Sequence, residues 1–137
     1  SLAPAQEKKI ERRDLPPAVE KTVAAQSKEA TIRGFSQEKE NGRLNYEAEL
    51  TVNGHSKDVL IDAKGAVVEI EEQVPIDSLP SAVKDALHAK AGADRILKVE
   101  SLTQHDKLVA YEAVVESDGK KKEIQVGPDG QRLNHEE

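Results

Sequence analysis

The sequence predicts an α+β protein of two tandem repeats, each one helix followed by four antiparallel strands. The eight strands are expected to join into one curved antiparallel sheet with both helices on one face. Three observations predict this fold. Internal matches recur in order at a nearly fixed offset, each copy opens on an apolar stripe at helical spacing, and turn dipeptides separate alternating strands.

Tyr46-Glu47-Ala48 recurs as Tyr111-Glu112-Ala113, 65 residues on. Gly54, Lys57 and Gly65 match Gly119, Lys122 and Gly130 at the same offset. Upstream, Leu15-Pro16 and Ala18-Val19 recur as Leu79-Pro80 and Ala82-Val83 at an offset of 64. The expected source of the difference is one residue gained between the helix and the first strand. These matches divide the chain into a flexible charged arm at 1–13, a first repeat at 14–73 and a second at 74–137. The arm carries Glu7, Lys8, Lys9, Glu11, Arg12 and Arg13.

Leu15, Val19 and Val23 are spaced by four, as are Leu79, Val83 and Leu87, which marks one buried face on each helix. Pro16-Pro17 and Pro80 stand where the first-turn N–H groups have no helical partner. Gly92 reads as the stop of the second helix.

Asn41-Gly42, Asn53-Gly54 and Lys64-Gly65 punctuate the first repeat; Asp106-Lys107, Asp118-Gly119 and Asp129-Gly130 punctuate the second. Asn-Gly and Asp-Gly accept the positive φ of tight hairpins. The strands so delimited are 30–40, 43–53, 56–63 and 66–72, then 95–105, 108–117, 120–127 and 131–136. Leu44, Tyr46, Ala48, Leu50 and Val52 alternate with Asn45, Glu47, Glu49 and Thr51, so one face is covered and one meets water.

Composition narrows the function. Charged residues make up 34% and the hydrophobic set 36%, with Phe35, Tyr46 and Tyr111 as the aromatic residues, so Val, Leu, Ile and Ala must build the core. The net charge of −6 argues against nucleic acid. Lys120, Lys121 and Lys122 beside Gly119 read as a solvated hairpin. The absence of Cys excludes disulfides and thiol chemistry. No stretch is apolar and long enough to span a membrane as a helix. The small, polar opening Ser1-Leu2-Ala3-Pro4-Ala5-Gln6, without an initiator Met, leads us to expect an exported chain whose signal peptide has been removed.

The helix opening Leu15-Pro16-Pro17-Ala18-Val19 and the segment Val59-Leu60-Ile61-Asp62-Ala63-Lys64-Gly65-Ala66-Val67-Val68 resemble the PepSY-like group. Their second copies are Leu79-Pro80-Ser81-Ala82-Val83 and Ile124-Gln125-Val126-Gly127-Pro128-Asp129-Gly130. That group overlaps in fold with the β-lactamase-inhibitor-protein-like (BLIP-like) family, and the resemblance covers nearly everything after residue 13. It implies a periplasmic or secreted location and binding or inhibition of other proteins, peptidases among them. The β-lactamase inhibitors carry disulfides and an aromatic-rich face, which this chain lacks, so the resemblance does not extend to that target.

Catalytic and metal motifs are not found. His55, His88, His105 and His135 lack ligand spacing and read as exposed. Asp62 offers a calcium loop a single carboxylate and reads as bonded to its own turn. Ser27, Ser56 and Ser117 have no evident partners for a triad. Glu69 and Glu71, alternating with Ile70, read as open-face residues. Glu47 and Glu112 recur at equivalent positions, but alternation places them in solvent, where nothing raises a carboxyl pKa.

One feature reads as a binding surface. Leu108, Ala110, Glu112 and Val114 share one side of a strand, and Leu60 adds to it from the first repeat. An apolar patch rimmed by carboxylates marks a candidate protein-binding face. The sequence therefore reads as an exported, non-enzymatic module, monomer or weak dimer, that binds another protein or an extended peptide without cofactor or metal. The alternative is a small-ligand or lipid carrier with a large apolar cavity between sheet and helices.

Overall fold

The computed structural model describes residues 6–137. Eight strands pair antiparallel in sequence order in one open sheet. They are β1 (Glu7–Ile10), β2 (Thr31–Glu40), β3 (Arg43–Val52), β4 (His55–Asp62), β5 (Val67–Val74), β6 (Arg95–Gln104), β7 (Lys107–Ser117) and β8 (Lys120–Val126). Two helices, α1 (Pro17–Gln26) and α2 (Ser81–Ala91), complete the α+β fold.

The chain divides into two compact units at Ile70/Glu71. Each runs strand, short 3-10 turn, helix, then three strands. This corrects two expectations. Glu7–Ile10, placed by sequence in a charged arm, is strand β1, and its Ile10 pairs with Phe35 and packs on the N-terminal core. Residues 1–5 of that arm lie outside the described residues. Residues 131–136, read as a strand, form none. That segment offers Leu133 as its single large apolar residue, whereas the matched segment has Val67, Val68 and Ile70 to bury.

The hairpin chemistry follows the dipeptides. Asn41-Gly42, Asn53-Gly54, His105-Asp106 and Asp118-Gly119 all have positive φ at both residues, as two-residue primed turns require. The third of these turns falls one residue earlier than the Asp106-Lys107 reading. The change of offset also has a different source. Glu38 pairs with Asn45 and Lys39 with Leu44, while Leu102 pairs with Ala110 and Thr103 with Leu108. The extra residue is Val109, a bulge in β7, and not an insertion before the first strand.

Each helix lays its stripe on its own sheet segment. Leu15, Val19 and Val23 pack with Phe35, Tyr46, Ala48, Leu50, Val59 and Ile61. Leu79, Val83, Leu87 and Ala91 pack with Val99, Ala113, Val115, Ile124 and Val126. Full burial of one such side chain contributes about 1.5–3 kcal/mol.

A glycine secures each helix start. Gly65 has φ +91°, and a Cβ there would meet the Ala18 carbonyl oxygen at 2.6 Å. Gly130 has φ +80°, and its Cβ would meet the Ala82 oxygen at 2.5 Å. The glycines are matched in sequence and do the same work, letting a turn touch helix backbone.

Candidate functional site

Antiparallel register partners share a face. The helix-covered face carries Phe35, Ala48 and Val59 in the N-terminal unit, and Val99, Ala113 and Ile124 in the C-terminal unit. The opposite face carries Ser36, Glu47 and Leu60 in one, and Glu100, Glu112 and Gln125 in the other. Each unit gathers three carboxylates on this second face.

In the N-terminal unit these are Glu7, Glu38 and Glu47, all half-buried, with one oxygen from each within 4.8 Å of the others. Glu7 pairs with Glu38 across β1 and β2, and Glu47 pairs with Ser36 across β2 and β3. Burial, then the charges of Asp58, Glu38, Glu7 and Glu49, push the Glu47 carboxyl up to about 8. Ser36 is 2% exposed. Its hydroxyl has no hydrogen-bond partner among the described residues. At the margin, Arg33 binds Asp58 at 3.2 Å and lies 3.9 Å from Glu49.

In the C-terminal unit the cluster is Glu71, Glu100 and Glu112, all buried, again within 4.8 Å of one another. Here the protein supplies some partners, while Glu112 Oε1 has no hydrogen-bond partner among the described residues. The Gln125 amide donates to Glu112 at 2.8 Å, and the Lys98 ammonium lies 3.8 Å from Glu100. Burial, then a hydrogen bond with Glu123, pushes Glu112 up to about 8; the Gln125 bond opposes this, and the charges of Glu123 and Glu71 add to it. The solvent-face reading of Glu47, Glu71 and Glu112 is thus corrected. Alternation assigned them the face without helices, but Glu71 and Glu112 are buried on it and Glu47 is half-buried.

The same holds for the candidate binding face. Ala110, Glu112 and Val114 are 0%, 5% and 6% exposed, and Leu60 and Leu108 are half-buried. β7 lies between β6 and β8, whose neighbouring Glu100, Leu102 and Gln125 are buried too. The backbone N–H of Glu137 also donates to the Gln125 side-chain amide oxygen Oε1, bringing the final residues against this side. Glu7, Glu38, Ser36 and Glu100 were not singled out in the sequence. Three separate strands bring each cluster together, so no local spacing announces it.

Asp62 is bonded as read: its Oδ1 accepts from the N–H groups of Lys64 and Ala66. His88, His105 and His135 are exposed, and His55 is half-buried at the start of β4. Among the described residues, no helix is long and apolar enough to cross a membrane.

No protein-family model matches the chain, and no curated protein matches it. Solved structures do. A BLIP-like protein from Bacteroides fragilis aligns over 88% of this chain and 84% of its own, with 22% identity and a TM-score of 0.65. A DUF2874 family protein from Bacteroides ovatus aligns over 88% and 85%, with 22% identity and a TM-score of 0.68. A provisionally periplasmic protein from Bacteroides eggerthii aligns over 88% and 86%, with 18% identity and a TM-score of 0.71. At these identities the likeness establishes the fold.

Proposed function

We propose that this chain is a periplasmic or secreted, non-catalytic protein-binding module of the PepSY-like kind, a regulator or inhibitor of a peptidase or other envelope protein. The observation that carries this reading is the second sheet face of the N-terminal unit. No helix stripe packs there, and Leu60 sits among Glu47, Glu49 and Asp58 within reach of solvent. A half-buried apolar residue rimmed by acids suits a basic protein surface or an extended basic peptide. The shared fold with BLIP-like and periplasmic proteins supports the same assignment. Of the predicted face, Leu60 is the member placed to make contact; Leu108, beyond the Val109 bulge, lies on the other side of its strand.

Packing disfavours the carrier reading. Val19, Val23, Leu50, Val59 and Ile61 meet between helix and sheet at 0–1% exposure, which fills the space a carrier would keep. A depression of about 460 Å³ beside Ala86, Lys90 and Arg132 is open to solvent.

Crosslinking in the native envelope fraction tests the proposal, with wild type beside a folded Leu60→Asp variant. One protein crosslinked through β3 or β4 in wild type and lost in the variant is the expected result. A co-purifying small molecule with no crosslinked protein would replace this reading with the carrier.

A further inference from the structure

We propose that Glu7, Glu38 and Glu47, with the Ser36 hydroxyl, form a binding site for a hard divalent cation, calcium being the best fit. This is independent of the protein-binding reading.

Two separate observations carry it. The first is geometric. One oxygen from each carboxylate lies within 4.8 Å of the other two. A single calcium ion, bound by oxygens at about 2.3–2.6 Å in flexible geometry, can bridge carboxylates gathered this closely. Magnesium demands a near-ideal octahedron at about 2.0–2.1 Å and usually keeps several waters, so a set of protein carboxylates with a hydroxyl suits calcium better. The donors are all oxygens from carboxylate and hydroxyl groups, which hard cations prefer and zinc does not.

The second observation is Ser36. A hydroxyl 98% removed from solvent normally has a partner, because an unmet buried polar group costs about 1–3 kcal/mol. Ser36 Oγ has none among the described residues. Its register partner is Glu47 and the next residue on its face is Glu38, so the hydroxyl is directed among the carboxylates. A cation there would satisfy the hydroxyl and offset the mutual repulsion of Glu7, Glu38 and Glu47. Lys9, the β1 partner of Ser36, lies on the same face but is solvent-exposed.

The C-terminal cluster is the natural comparison: Glu112 Oε1 is unmet there too, but all three carboxylates are buried, which bars an ion from reaching them. There the equivalents of Ser36 and Glu38 are Glu100 and Leu102, and Lys98 and Gln125 already stand beside the carboxylates. The N-terminal cluster is the more accessible of the two.

The test is calorimetric titration of the chelator-treated full chain with CaCl₂, repeated with MgCl₂, and thermal denaturation with and without calcium. Wild type should show one saturable calcium site, a higher melting temperature with calcium, and weaker magnesium binding. Glu38→Gln, a half-exposed position that tolerates the change, should weaken calcium by about tenfold or more. Ser36→Ala should weaken it less, and Glu112→Gln should leave it unchanged. Absence of saturable calcium binding by wild type would overturn the proposal. So would unchanged affinity in folded Glu38→Gln, or an equal loss in Glu112→Gln. Should Ser36→Ala fail to fold, the Glu38→Gln and Glu112→Gln pair still decides.

Discussion

The two units place three carboxylates at similar points on the same sheet face, yet treat them differently. In the N-terminal unit, Glu7, Glu38 and Glu47 are half-buried, and the Ser36 hydroxyl on their face has no hydrogen-bond partner among the described residues. In the C-terminal unit, Glu71, Glu100 and Glu112 are buried, with an amide and an ammonium beside them. One small exchange accounts for much of this. Where the first unit has Ser36 and Glu38, the second has Glu100 and Leu102. The third carboxylate stands two residues along the strand and is buried there, and Leu102 is buried beside it on the same face. A repeat can thus keep its fold while converting a solvent-accessible acidic cluster into an internal one.

Core truncations give the largest expected effects. Leu50 and Leu87 are 0% and 1% exposed, and Leu→Ala at either should cost about 2–5 kcal/mol in chemical denaturation. Similar losses would show that the helix-side cores are equivalent and that the units differ on the other face. A much smaller loss at one would break that equivalence.

The paired glycines come next. Gly65→Ala and Gly130→Ala each force a Cβ onto helix backbone at positive φ, and each should cost about 1–3 kcal/mol. Gly65 should be the costlier, because its turn leads into β5 whereas no strand follows Gly130. The order of the two melting temperatures checks this.

Acidity separates the clusters more finely. Glu47 and Glu112 both rise from an ordinary 4.5 to about 8. Between those values the folded chain holds protons that the unfolded chain has released, so stability should be fully present near pH 4.5 and fall as pH rises through 8. Melting temperature should accordingly drop by several degrees between the two ends. Glu47→Gln and Glu112→Gln, which mimic the protonated acids, should each flatten the slope. Added calcium should flatten it through Glu47 alone if the N-terminal cluster binds the ion.

The smallest effect is expected at the surface pairs. Arg33→Ala removes a 3.2 Å bond to Asp58 and should cost at most about 1 kcal/mol. Arg95, 74% exposed in its side chain and 3.3 Å from Glu116, should be near neutral.

Much of this architecture was legible in the sequence. Helical stripes at Leu15, Val19 and Val23, and at Leu79, Val83 and Leu87, identified both helices, because one buried face at 3.6-residue period leaves a periodic trace. Asn-Gly and Asp-Gly marked three hairpins, since few other pairs accept two positive φ values. β1 was missed because Glu7, Lys8 and Lys9 look like solvent, and its pairing with β2 spans an intervening helix. The turn at His105-Asp106 carries no glycine and was displaced by one residue.

The candidate site was the least legible part. Alternation correctly separated Glu47 and Glu112 from the helix-side core and grouped Ala110, Glu112 and Val114 on one side of β7, but the bulge at Val109 turns Leu108, the partner of Thr103, to the other side. It could not say whether that side met water. What the sequence determined by itself is the local pattern: which segments are helix or strand, which face each side chain takes, and where the chain reverses. Those outcomes depend on periodicity and on the φ preferences of single residues. The tertiary structure alone decided which distant carboxylates meet, which of them lose solvent, and which hydroxyl is left among them. Those outcomes depend on strand register and on neighbours tens of residues away, for which a local pattern holds no record.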